Sequence, residues 1–206
     1  MFPVLSRTAR LTAAAIALIA LASLAIRFAI TLDDHAGDPV ATLWDLARFF
    51  TILTNALVVV TFGWAALRRQ GQGVSAPWLA ALTLAMILVG AVYHVLLSHL
   101  TDFSGWALIA DHGFHTAAPL ACTLWWLAYA PKRALVYADL PSFVVWPVVY
   151  IAYALWRGAA TADYPYPFMD LMERSQPVVA TNLAGLTLVL LLGGVIFVSI
   201  GRYADR

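Results

Sequence analysis

The sequence predicts an all-α, polytopic membrane protein: a single domain over residues 1–206, built of six transmembrane helices, with both termini cytoplasmic. Three observations predict it. Of all residues 63% are hydrophobic and 11% charged, and the mean hydropathy is +0.83, a balance that leaves more apolar surface than a soluble domain can cover. The apolar residues gather in runs of about twenty, which suits a spanning helix and is too long for a barrel strand. Cationic residues also alternate in side from one connecting segment to the next, as the positive-inside rule requires.

Taken in order, the runs cover 10–31, 47–67, 77–98, 112–130, 141–157 and 177–200. The first, "LTAAAIALIALASLAI" behind Arg7 and Arg10, shares the charged and apolar regions of a signal peptide. Its length favours a retained helix. The fifth is the shortest, and Pro147 within it should bend the helix, because proline removes a donor and clashes with the preceding turn. Turns are expected at "GQGVSAP" before Trp78 and at "YAPKRALVYADLP" between the fourth and fifth runs. On this count Arg7, Arg10, Arg68, Arg69, Lys132, Arg133, Arg202 and Arg206 fall on one side, the cytoplasmic one, and Arg27, Arg48, Arg157 and Arg174 on the other. The acidic residues agree, with only Asp139 and Asp205 inside. The chain is thus expected in a cell membrane, the bacterial inner membrane, as a multi-pass protein in contact with membrane lipids.

A net charge of +1, without a basic stripe, argues against a nucleic-acid partner. The lone cysteine, Cys122, lies in an apolar run and reads as a small core residue. There is no internal repeat and no low-complexity segment.

Polar side chains inside membrane segments are costly and tend to face the bundle interior, so their positions are informative. In "LARFFTILTNALVVV" Arg48, Thr51 and Asn55 are spaced to share one helix face near the outer boundary. His94 and Ser98 form a similar stripe at the outer end of the third run, and His112 and His115 share a face one turn into the fourth. The predicted topology brings Thr51, His94, His112 and His115 to similar depth. Between runs five and six, Tyr164, Tyr166 and Phe168 alternate with Pro165 and Pro167 in a stiff aromatic segment. This reads either as an interfacial anchor or as a lid carrying Asp163, Asp170 and Glu173 towards the histidines. A threonine in such a helix ordinarily bonds its own backbone; an intramembrane histidine pair is harder to explain structurally.

Two chemistries suit these residues. In one, His115 serves as general base for a threonine hydroxyl in acyl transfer. In the other, the histidines hold a metal or haem iron, with His94 or Asp111 as a further ligand. A non-catalytic lipid transporter or binding protein is a third reading.

Three blocks, "RFFTILTN", "DHGFHTAAP" and "YPYPFMD", carry a resemblance to the androgen-induced-gene family of multispanning membrane proteins, whose animal members are threonine hydrolases of fatty acid esters of hydroxy fatty acids. Their order and approximate spacing agree with the family over most of the chain. The resemblance implies a lipid-ester hydrolase without a cofactor, with Thr51 as nucleophile, Thr54 as its competitor, and His115 as the catalytic base. His112, Asn55, Arg48, His94, Tyr166, Phe168 and Asp170 then become candidates for binding the substrate, the first three also for stabilising an oxyanion. Asp111, Asp170 and Glu173 are candidates for orienting His115, and Gly113 for close approach by a neighbouring helix or acyl chain. The sequence departs from the animal pattern in its short loops and in Asp111, where an amide residue commonly precedes the first histidine. Those features suit a bacterial-type member with its site towards the outer, periplasmic side.

Overall fold

A computed structural model describes residues 5–68 and 73–203, and over these the chain is helical with no strand. Arg69, Asp205, Arg206 and the first two residues of the "GQGVSAP" turn lie outside the described residues. Five helices are long and apolar enough to cross a membrane: Arg7–Asp34, Phe50–Leu67, Ala76–Leu100, Tyr137–Thr161 and Gln176–Tyr203. The predicted fourth run falls on an unbroken helical stretch over 105–129 that is absent from these five. Its first half carries Asp111 and His115, two of the polar residues of the site described below, and His112. Backbone contacts divide the chain into two compact units, Met1–Pro131 and Lys132–Arg206.

In the first unit, α1 (Arg7–Asp34) starts at Ser6, whose hydroxyl accepts from Ala9 N at 3.1 Å, an N-cap bond that satisfies one of the orphan amides of the first turn. Among its buried residues, Ala9, Ala13, Ala17, Ala20 and Ser23 form a stripe of small side chains at helical spacing, with Ile16 beside them, which lets neighbouring backbones come close. Against it pack chiefly α3 (Phe50–Leu67), together with α5 (Gly105–His112) and α6 (Ala118–Tyr129). Two bonds tie down the end remote from the histidines: Arg10 Nε donates to Ala66 O at 2.8 Å, and Trp125 Nε1 to Ala9 O at 2.9 Å. The first occupies a carbonyl in the last turn of α3, which has no partner within its own helix; the second gives the indole N–H an acceptor where apolar surroundings offer few.

At the opposite end a short helix, α2 (Pro39–Leu46), begins with Asp38 capping Val40 N and Ala41 N. Here the structure corrects the expected register. Run two does not continue back through Arg48; α2 ends at Leu46, the chain turns, and α3 starts only at Phe50. Arg48 therefore does not share a helix face with Thr51 and Asn55. It pairs with Asp45 at 3.2 Å and lies over the Phe49 ring, while Asp45 also meets His35 at 3.5 Å. Thr51 consequently occupies the first turn of α3.

The helix α4 (Ala76–Val92) is capped by Ser75 and runs on through a π turn, Tyr93–Leu97, and a 3-10 turn, Ser98–Leu100. A second π turn, Gly113–Ala117, joins α5 to α6 and touches α1, α3 and α4. Such widened turns recur where helices carry functional residues. Two of them here flank the polar cluster.

In the second unit, α7 (Leu140–Thr161) packs on α8 (Gln176–Tyr203). Its 22 residues exceed the expected run, because Gly158, Ala159, Ala160 and Thr161 continue the helix past residue 157 until Ala162 adopts a left-handed conformation, φ 55°. The connection to α8 carries a 3-10 turn at Pro167–Met169, with Met169 buried.

Candidate functional site

The site assembles from four elements of the first unit. Thr51, two residues past the N-cap of α3, has its Oγ1 3.4 Å from His115 Nε2. His115 stands in the π turn Gly113–Ala117, and its Nδ1 lies 2.9 Å from Asp111 Oδ1, one turn earlier. Asp111 is only 5% exposed. Tyr93, opening the other π turn, donates its hydroxyl to Asp111 Oδ2 at 2.6 Å and stacks on the His115 ring, with centroids 3.8 Å apart and planes 6° from parallel.

Hydrogen-bond chemistry orders this chain of contacts. As a carboxylate, Asp111 can only accept, so His115 Nδ1 carries the proton it shares with Oδ1. In a neutral imidazole Nε2 is then the acceptor, and Thr51 donates to it. The result is a hydroxyl, an imidazole and a carboxylate linked in the order that nucleophilic catalysis by a hydroxyl requires. At 3.4 Å the Thr51 contact is at the long end of the hydrogen-bond range.

Packing holds the π turn. A Cβ on Gly113 would collide with Ser23 Oγ of α1, and one on Gly90 of α4 would stand 3.0 Å from His115 O. The expected close approach at Gly113 is thus made by a helix, α1.

The remaining candidates divide. Asn55 is fully buried and donates Nδ2 to Thr51 O at 2.9 Å, while its Oδ1 has no hydrogen-bond partner among the described residues. It braces the Thr51 backbone one turn earlier in α3. Thr54 is fully buried, whereas Thr51 keeps partial exposure. Arg48 is engaged with Asp45, as above. His94 is exposed and pairs through Nε2 with Thr116 Oγ1 at 3.1 Å, and Ser98 returns its hydroxyl to His94 O. His112 is exposed on the outer surface of its helix.

Tyr166, Phe168 and Asp170 belong to the second unit. There Tyr166 and Phe168 stack with centroids 5.2 Å apart, Asp170 Oδ1 accepts from Met172 N at 2.7 Å, Arg174 Nε donates to Pro167 O, and Asn182 Nδ2 to Phe168 O. This aromatic segment is a hydrogen-bonded turn braced on α8.

Sequence reasoning missed Tyr93. A tyrosine near the end of an apolar run ordinarily reads as an interfacial anchor, and only its contacts distinguish it. The i, i+4 spacing of Asp111 and His115 was the available sign that these two could pair. Among the described residues no group of three or more His, Cys, Asp and Glu converges as metal ligands would. Comparison with models of known protein families, with curated proteins and with solved structures finds no match to this chain.

Proposed function

We propose that this chain is an integral membrane lipid-ester hydrolase in which Thr51 is the nucleophile, His115 the general base and Asp111 the carboxylate that orients and charges it. The observation that carries this reading is the continuous path Thr51 Oγ1, His115, Asp111, with contacts of 3.4 and 2.9 Å. The motif resemblance to threonine hydrolases of fatty acid esters of hydroxy fatty acids supports it independently.

Thr51 Oγ attacks the ester carbonyl as its proton passes to His115 Nε2, and the imidazolium is held by Asp111. A threonine hydroxyl is a poor nucleophile at its own pKa, so this transfer is essential. The first-turn amides of α3, at Thr51 and Ile52, have no acceptor within the helix. They are the donors best suited to the oxyanion, and no capping side chain competes for them, since the N-cap is Phe49. His115 then protonates the departing alcohol, leaving an acyl-Thr51 ester. Water, deprotonated by His115, attacks that ester, and Thr51 recovers its proton as the free acid leaves.

The full proposal includes six spans with cytoplasmic termini, the 105–129 stretch being the sixth, in a bacterial inner membrane, with the site towards the outer side. A lipid ester enters between helices from the outer leaflet. The test is labelling with a lipophilic fluorophosphonate. Wild-type protein should label, Thr51→Ser should label more weakly or as well, and Thr51→Val and His115→Ala should not. Labelling that persists in Thr51→Val overturns the nucleophile, and a Soret band or stoichiometric metal in purified protein would favour a redox or metal-binding role instead.

A further inference from the structure

We infer that Tyr93 is a positioning residue of this site, fixing Asp111 and the His115 ring in the one arrangement that leaves Nε2 open to Thr51. The inference rests on the hydrolase reading for its consequence and on the geometry around Tyr93 for its content.

The helix α4 reaches the His115 turn at Gly90, where a Cβ would stand 3.0 Å from His115 O. One turn later the same face of the stretch presents Tyr93. Its hydroxyl holds Asp111 Oδ2 at 2.6 Å, and Oδ1 is left for His115 Nδ1 at 2.9 Å. With a donor on each oxygen, the carboxylate cannot swing about its Cβ–Cγ bond without losing a charge-assisted hydrogen bond. The Tyr93 ring meanwhile covers one face of the imidazole, 3.8 Å away and 6° from parallel. Rotation of His115 about χ2 would drive the ring edge into that aromatic face. The two contacts restrain different degrees of freedom: the hydroxyl acts on Asp111, and the ring acts directly on His115. Tyr93 keeps its own proton throughout, so no step passes through it.

This division gives separable outcomes. Tyr93→Phe keeps the ring and removes the hydroxyl; Tyr93→Leu removes both. Each is made in wild-type and Asp111→Asn backgrounds, and kcat and KM are measured on a p-nitrophenyl acyl ester in detergent micelles. Tyr93→Phe should lower kcat about tenfold with KM within about twofold, the pattern of a lost transition-state interaction. Tyr93→Leu should lower it about a hundredfold. On the Asp111→Asn background Tyr93→Phe should cost less than about twofold further, because both changes act through one carboxylate. Wild-type kcat in Tyr93→Phe, an effect confined to KM, or full additivity with Asp111→Asn overturns the inference.

Absence of turnover and labelling in the wild-type protein would instead overturn the hydrolase reading. In that event the imidazole nitrogen signals of His115, followed by NMR, decide Tyr93 alone. The Nδ1–H tautomer should dominate in wild type and lose population in Tyr93→Leu. An unchanged tautomer in that variant overturns the role.

Discussion

Replacing Asp111 by asparagine tests the core of the proposed chemistry with almost no change in volume. Asp111 is 5% exposed, so the variant's amide has little water to compensate for lost partners. It meets two groups, His115 Nδ1 at 2.9 Å and the Tyr93 hydroxyl at 2.6 Å. If the amide oxygen accepts from Tyr93, its NH2 faces Nδ1; the imidazole must then carry its proton on Nε2, and the base turned towards Thr51 is lost. If the amide oxygen faces Nδ1, the tautomer survives, but the imidazolium formed during attack no longer has an anion beside it. Either arrangement removes transition-state stabilisation. Loss of the corresponding carboxylate function in Ser-His-Asp hydrolases costs about ten-thousandfold. The longer Thr51 contact here suggests a less optimised base and a smaller loss, about a thousandfold in kcat, or ~4 kcal/mol. The assay is turnover of a p-nitrophenyl acyl ester in micelles, with thermal unfolding by circular dichroism as the control for folding. A kcat within about threefold of wild type, with the fold intact, would refute the assignment of Asp111 as orienting carboxylate.

Two further outcomes test the packing. Gly113→Ala should displace the His115 turn, because the new Cβ collides with Ser23 Oγ. Activity should be lost and stability reduced by about 1–3 kcal/mol, and the second change Ser23→Gly should recover much of both, read by turnover and by Tm. In the second unit Gly201→Ala should collide with the Lys132 backbone carbonyl, which cannot move aside as a side-chain end can. Its Tm should fall by several degrees, while kcat per folded molecule, titrated with fluorophosphonate, stays at the wild-type value.

What was legible in the sequence follows from the solvent. Lipid offers the backbone no hydrogen-bond partners, so each crossing must be a self-satisfied helix of nearly fixed length. Long apolar runs such as 10–31 and 177–200 could therefore be read directly, and five helices of sufficient length and apolarity stand where runs were expected. The break between α2 and α3 was not legible. No glycine or proline lies between Leu46 and Phe50; the interruption is marked by the Asp45–Arg48 pair and Arg48 over Phe49, contacts visible only once folded.

The site divides in the same way. Residue type and spacing singled out Thr51, Asn55, His94, His112 and His115, and the motif resemblance ranked Thr51 and His115 above the others. Tertiary structure decided that His115 meets Thr51 and Asp111, that Asn55 turns to the Thr51 carbonyl, that His112 faces outwards, and that Tyr93 joins the cluster. Helical periodicity reports which side chains share a face of one helix. It does not report the rotation and depth at which Thr51 meets His115 on a distant segment of the chain, and those are set by the small-residue packing of α1 and by the close approaches at Gly90 and Gly113.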